Sequence, residues 1–155
     1  GVPCTAGEFK FRANHDWGFN YGSTAGNATL DAGGSNIPLS AAADYYFVLD
    51  LSHPNAYTYT ADTWGLIGSA TPDGWNSDQN MTWDADNKAL TITIDLVAGE
   101  FKFRANDAWT INLGGPIDGL TQDGPNIPIS AAGNYTIKLY LEGTKHCTIV
   151  KNGKK

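Results

Sequence analysis

The residues best suited to chemistry lie on one short stretch and just beyond it. In residues 100–105, Glu-Phe-Lys-Phe-Arg-Ala, strand alternation sends Phe101, Phe103 and Ala105 to one face and Lys102 and Arg104 to the other. Asn106 follows directly, and Trp109 comes a few positions later. Two cations one pleat apart, beside a flat ring, make a platform with fixed donors. A sugar needs that combination. Its CH face stacks on an aromatic ring, while paired hydroxyls accept hydrogen bonds from Lys102 or Arg104 and exchange them with Asn106. Lys10, Arg12, Asn14 and Trp17 repeat the set near the start of the chain. A plainer reading stays open, in which the cations solvate an outer sheet face and Trp109 belongs to the core.

Three further tryptophans precede this stretch. Trp64 opens the apolar run Trp64-Gly65-Leu66-Ile67-Gly68 and is expected to be buried. Trp75 follows the turn Pro72-Asp73-Gly74, so it either packs back as a lid or faces solvent. Trp83 alternates with Met81 beside a hairpin turn and is expected to pack. Signals for catalysis are weak. Glycoside hydrolysis needs two juxtaposed carboxylates, one with a raised pKa. Glu8 and Glu100 recur, but neither has an acidic companion at matching positions. His15, His53 and His146 occupy unrelated places, which leaves no duplicated triad or metal site. Asp84, Asp86 and Asn87 suit a turn better than a calcium loop, which would carry a later Glu. No catalytic residue, metal ligand or cofactor is expected.

The elements that must position these side chains are strands. Period-two alternation runs through residues 90–96, 101–105 and 135–141, with further strands expected at 64–68 and 147–150. Asp84 to Asn87 reads as a hairpin turn in which Asp86 or Asn87 can take a positive φ. The string AGEFKFRAN occurs twice, at residues 6–14 and 98–106, and NIPLSAA at 36–42 returns as NIPISAA at 126–132. The offsets, 92 and 90 residues, exceed the roughly 20–50 of a solenoid repeat and indicate a duplicated domain. Strands are likewise expected at 9–13, 17–21, 45–51 and 57–60. Residues 63–97 have no counterpart before the first string. The expected organisation is therefore the C-terminal half of a first β-sandwich in residues 1–60 and a complete second module in 61–155. The chain is expected to be a piece of a longer protein. The fold class is all-β, an immunoglobulin-like antiparallel sandwich repeated in tandem with its first copy incomplete.

Composition bounds the partners. The 155 residues are 41% hydrophobic and 17% charged, which supports a core and argues against disorder. Five Trp and seven Tyr are many for so short a chain. A net charge of −6 and no basic run outside the C-terminal tail make nucleic acid an unsuitable partner. Cys4 and Cys147 fall at non-equivalent positions, and a disulfide between them is left open.

The blocks Gly68-Ser69-Ala70-Thr71-Pro72-x-Gly74-Trp75 and Gly99-Glu100-Phe101-Lys102-Phe103-Arg104, in this order with Met81 between them, resemble the domain of the SusE/SusF outer-membrane starch-binding lipoproteins of Bacteroidetes. The resemblance covers most of residues 64–114, and its later half recurs in residues 7–22. It implies tandem carbohydrate-binding modules at the cell surface, lipid-anchored through a part of the parent protein, holding α-glucan without cleaving it. It also implies neighbouring glycan-uptake proteins as partners. Carried over by position, Lys102, Arg104 and Trp109 would form the site with Trp75. After Asn106 the chain offers a single ring where a curved cradle wants two, and Trp75 or Tyr140 is the candidate second. The rival expectation is a structural or protein-interaction module within an importer complex, and a glycosidase is a third class.

Overall fold

The computed structural model describes residues 1–153. They form eighteen strands and no helix, and every strand pairing is antiparallel. The chain divides into two compact units, Val2–Ala61 and the stretch from Asp62 onward.

In the first unit the strands are β1 (Val2–Cys4), β2 (Gly7–Phe9), β3 (Phe11–Arg12), β4 (Asn20–Gly22), β5 (Asp31–Ala32), β6 (Ile37–Leu39), β7 (Ala43–Asp50) and β8 (Thr58–Asp62). They make a sheet β1-β7-β8, a sheet β3-β4-β5 and a pair β2-β6. Aromatic edges meet within it: Phe9 contacts Phe11, Phe47 and Tyr59 at ring centroid distances of 5.5, 5.2 and 6.0 Å.

The second unit holds β9 (Trp64–Ile67), β10 (Gln79–Asn80), β11 (Thr82–Asp84), β12 (Ala89–Leu96), β13 (Gly99–Ala105), β14 (Asn112–Gly114), β15 (Thr121–Gln122), β16 (Ile127–Ile129), β17 (Gly133–Tyr140) and β18 (His146–Lys151). One sheet runs β10-β9-β13-β14-β15, with β16 beside the start of β13, and the other runs β11-β12-β17-β18. Both sheets supply the core. Leu66, Ile67, Phe101, Phe103 and Ile127 come from the first, Leu90, Ile137 and Leu139 from the second, and all are fully buried. This is a sandwich-like packing of antiparallel sheets.

Alternation explains the register. Along β17, Tyr135, Ile137 and Leu139 are buried while Thr136, Lys138 and Tyr140 are half-buried. Ile137 pairs Ile92 on one side and Ile149 on the other. A slip of one residue would drive Lys138 into the core, so the register is strongly specified. The strand is also anchored at its start, because the Tyr135 hydroxyl donates to the Ala131 carbonyl at 2.7 Å; Tyr45 and Ala41 make the same bond at 3.0 Å in the first unit. Gly68 is a position of close approach, since a Cβ there would lie 2.2 Å from the Glu100 carbonyl oxygen.

Several local expectations change. The stretch 9–13 breaks at Lys10 into β2 and β3. Residues 17–19 belong to a turn instead of a strand, because Asn14 and His15 take φ 55° and the Ala13 amide reaches over to the Phe19 carbonyl. In the 84–88 hairpin neither Asp86 nor Asn87 takes the positive φ; Lys88 does, at 53°. Asp84 decides this by accepting from both the backbone and side-chain amides of Asn87, at 3.1 and 2.7 Å, which holds Asn87 in the turn's interior. Trp64 is buried as expected, and Cys4 and Cys147 are free thiols.

Asp84 also accepts from Lys138 Nζ at 2.8 Å, and this bond, with those from Asn87, lowers its carboxyl from 3.8 to about 2. A depressed carboxylate adds stability above its unfolded pKa and loses it as pH falls through the folded one. Asp84→Asn should therefore flatten the acid limb of the stability curve between pH 3.8 and about 2. Acid unfolding followed by circular dichroism would read it; an unchanged limb would show that Asp84 does not govern that loss.

Candidate functional site

The outward face of β13 is the floor of the site. Phe101, Phe103 and Ala105 point into the core and are buried, so Lys102 and Arg104 stand on the opposite face. β9 lies along one edge of this strand with Gly65 opposite Arg104, and β14 lies along the other with Asn112 opposite Arg104. Gly65 is required by crowding: a Cβ there would meet the Gln79 carbonyl at 2.9 Å and the Asp78 Cβ at 3.0 Å. Its absence lets the segment between β9 and β10 bring Asp78 over the strand.

Asp78 and Arg104 form the central pair. Arg104 Nε donates to Asp78 Oδ1 at 2.6 Å, and the Asp78 side chain is 1% exposed. Asp78 Oδ2 is buried with no hydrogen-bond donor against it. Burial pushes the Asp78 carboxyl above the ordinary carboxylate value; the Arg104 bond and charge pull it back, while the negative charge of Asp107 adds to the rise. Lys102 is satisfied in a second way, donating from Nζ to Asn112 Oδ1 at 2.6 Å. The amide nitrogen of Asn112 then donates to the Trp109 carbonyl at 2.9 Å and to Asp123 Oδ1 at 2.8 Å.

Above this floor lie the rings. The turn from β13 to β14 is tight, with Asn106 and Asp107 at φ 59° and 52°, the Ala108 amide bonded to the Ala105 carbonyl and the Ala105 amide to the Ile111 carbonyl. It projects Trp109 back over the cations, with Arg104 Cζ 4.8 Å and Lys102 Nζ 5.9 Å from the ring centroid. Trp75 arrives from the β9–β10 segment, its ring 6.0 Å from that of Trp109 and tilted by 37°. Trp75 is 43% and Trp109 46% exposed. Cations behind the ring hold it by about 0.5–2 kcal/mol each, according to how far they are desolvated. Two tilted indoles on a rigid polar floor can stack against the apolar face of a ring-shaped ligand.

Trp109 is thus exposed at the site and does not belong to the core, and Trp75 supplies the second ring. Tyr140, the other candidate, stacks on His146 at 4.5 Å on the opposite sheet. Asn106 turns elsewhere: its side chain accepts from the Thr63 amide at 3.0 Å and donates to Asp62 at 2.8 Å, pinning the approach to β9. Lys102 and Arg104 are 9% exposed, so they act chiefly from beneath the rings. Asp78 and Asn112 are the residues that sequence reasoning passed over. Asn112 carried a signal, since Asn20 holds the equivalent place after Trp17; Asp78 carried none.

The first unit repeats part of this. Arg12 Cζ lies 4.7 Å from the Trp17 ring, and Asn20 donates to the Trp17 carbonyl at 2.7 Å. Trp17 and Phe19 are exposed, Phe19 meeting Tyr21 edge-on at 5.5 Å. Lys10 is half-buried, Arg12 and Asn14 are exposed, and Asn14 serves the turn with φ 55°. Among the described residues Arg12 makes no ion pair of the Asp78–Arg104 kind.

Arg104→Met should leave the Asp78 charge buried without its partner and cost about 3 kcal/mol. A raised carboxyl contributes stability below its unfolded pKa and loses it as pH rises through the folded one, so the loss should shrink toward low pH. Adding Asp78→Asn should restore much of it at neutral pH. Urea unfolding at two pH values measures this, and a single variant as stable as the parent would refute the pairing's importance.

Compared with family models, curated protein sequences and solved structures, the chain matches none.

Proposed function

We propose that this chain is a non-catalytic glycan-binding protein of the SusE/SusF kind, built from immunoglobulin-like modules in tandem, whose ligand is a starch-type α-glucan. The observation that carries the reading is the pair of exposed indoles, Trp75 and Trp109, 6.0 Å apart and tilted by 37°. A flat glucan chain would want coplanar rings; a tilt suits a chain that curves as α-linked glucose does. Stacking on these two rings supplies most of the binding. Arg104 and Lys102 hold Trp109 from below, and their remaining N–H groups serve hydroxyls at the rim of the rings. Asn106 is assigned to the turn and not to the ligand.

Repeated registers support the tandem reading. Gly7, Glu8 and Phe9 pair Leu39, Pro38 and Ile37, as Gly99, Glu100 and Phe101 pair Ile129, Pro128 and Ile127. Trp17 with Arg12 then forms a lesser site in the first unit, and two weak sites on one chain raise avidity. A single shallow site of this kind should bind at about 0.1–1 mM, about 4–5.5 kcal/mol. In the parent protein the modules sit at the outer-membrane surface on a lipid anchor, beside other proteins of glycan uptake.

Affinity electrophoresis through gels containing amylopectin, pullulan, dextran, xylan, mannan or no polysaccharide tests this. Retardation is expected with amylopectin and pullulan only. Trp109→Ala should abolish it while the unit stays folded, its stability lowered only by the lost cation–ring contacts, and Trp75→Ala should weaken it by about fivefold, the worth of one aromatic contact near 1 kcal/mol. Undiminished retention of Trp109→Ala would sink the site assignment. Free migration of the parent in every gel would instead favour a protein-docking module.

A further inference from the structure

Each segment that carries an indole of the second unit also carries a carboxylate, and the two carboxylates meet. Trp75 and Asp78 share the segment between β9 and β10, while Asp107 and Trp109 share the turn after β13. That turn starts beside the approach to β9, where the Asn106 amide donates to the Thr63 carbonyl at 2.8 Å. Asp107 is thereby delivered to the edge over which Asp78 descends, and its carboxyl stands within hydrogen-bonding reach of the Asp78 carboxyl. Arg104 Nε occupies Asp78 Oδ1, and the buried Oδ2 has no donor among the described residues. Two carboxylates and one guanidinium leave a surplus negative charge beside an unsatisfied oxygen.

The other charged groups nearby have partners of their own. Lys102, on the same face of β13, donates to Asn112. Asp73, on the same segment as Asp78, accepts from Ser77 and Gln79 at 2.9 and 2.8 Å. Asp62, before β9, accepts from Asn106, and β9 itself carries no charged residue. Arg104 and Asp107 are therefore the charges that act on Asp78. An oxygen without a donor, facing a second carboxylate, is satisfied by a proton. Held on Asp78 Oδ2 and donated to Asp107, it replaces a repulsion with a hydrogen bond and leaves the Arg104 bond to Oδ1 in place. Burial raises the Asp78 carboxyl above 3.8, Arg104 pulls against that and Asp107 adds to it, so the proton enters as pH falls toward that value.

We infer that Asp78 and Asp107 form a proton-operated latch between the two indole-bearing segments, closed when they share one proton and loosened when both are charged. The closed latch holds Trp75 and Trp109 at their 6.0 Å spacing and 37° tilt. With both carboxylates charged, their repulsion pushes apart the segments that keep the rings together. The consequence for a ligand rests on the glycan reading: α-glucan binds more tightly in mild acid than at neutral pH. Linkage is reciprocal, so the bound glycan strengthens the hold on the proton by the same factor and binding at neutral pH takes up protons.

Carbon NMR of the aspartate carboxyls in the intact chain reads the latch with no glycan present. Asp78 should titrate above 3.8, and Asp107→Asn, which tolerates the same positive φ and offers Oδ2 an amide donor, should move that titration to lower pH. The exciton signal of the indole pair in circular dichroism should weaken as pH rises through the titration in the parent and stay constant in Asp107→Asn. Calorimetric titration with maltoheptaose at neutral pH and at about pH 5 then reads the ligand. Binding should be about fivefold tighter in acid, and Asp107→Asn should bind at neutral pH as the parent does in acid. An Asp78 titration unmoved by Asp107→Asn, or an indole signal independent of pH, overturns the latch whether or not glycan binds. Equal affinity at the two pH values overturns its control of the ligand. Absent glycan binding with both spectroscopic changes intact defeats the glycan reading and upholds the latch.

Discussion

A buried carboxylate bonded to a guanidinium beneath an indole ring is the constraint around which the second unit's outer face is arranged. Asp78 is almost wholly removed from water, and one of its oxygens lacks a donor. Such a charge is tolerable only with its partner held in good geometry. Arg104 meets that demand because β13 places it, Gly65 clears space above it, and the β9–β10 segment lowers Asp78 onto it. The same guanidinium then backs Trp109. Position is what this pair confers; a buried ion pair is weak evidence for net stability.

Asn112 extends the constraint across the sheet. It accepts from Lys102 and donates to the Trp109 carbonyl and to Asp123, so one buried amide ties β13, the turn after it and the loop after β15. Each member of this network has at least one hydrogen-bond partner, which steadies the turn that projects Trp109. Rigid rings lose little entropy on meeting a ligand, and a shallow site depends on that economy.

Comparing the two units separates what a local string does from what its surroundings do. The string AGEFKFRAN builds the same turn with paired positive φ values and the same cation over the same tryptophan in both. Its burial differs. Arg104 and the two phenylalanines beside it are covered where β9 and Asp78 are present, and their counterparts stay open where no such strand lies. Backbone geometry follows from nearby residues, and desolvation follows from distant ones.

The sequence by itself determined the all-β class, most strands of the second unit and the inward and outward faces of β13, because period-two alternation and turn residues act over a few positions. It also marked Lys102, Arg104, Trp109 and Trp75 as a set. It left Trp109 undecided between core and surface, assigned Asn106 to the ligand, and passed over Asp78. Only the tertiary structure decided those. Whether the Trp109 ring is exposed depends on how the turn after β13 folds back over the cations of that strand. Asp78 meets Arg104 only after β9 pairs with β13, and the Asn106 amide is taken up by Asp62 and Thr63 through the same pairing. Contacts between residues far apart in the chain leave no periodic trace in it, so a role created by such a contact appears only when the sheets are assembled.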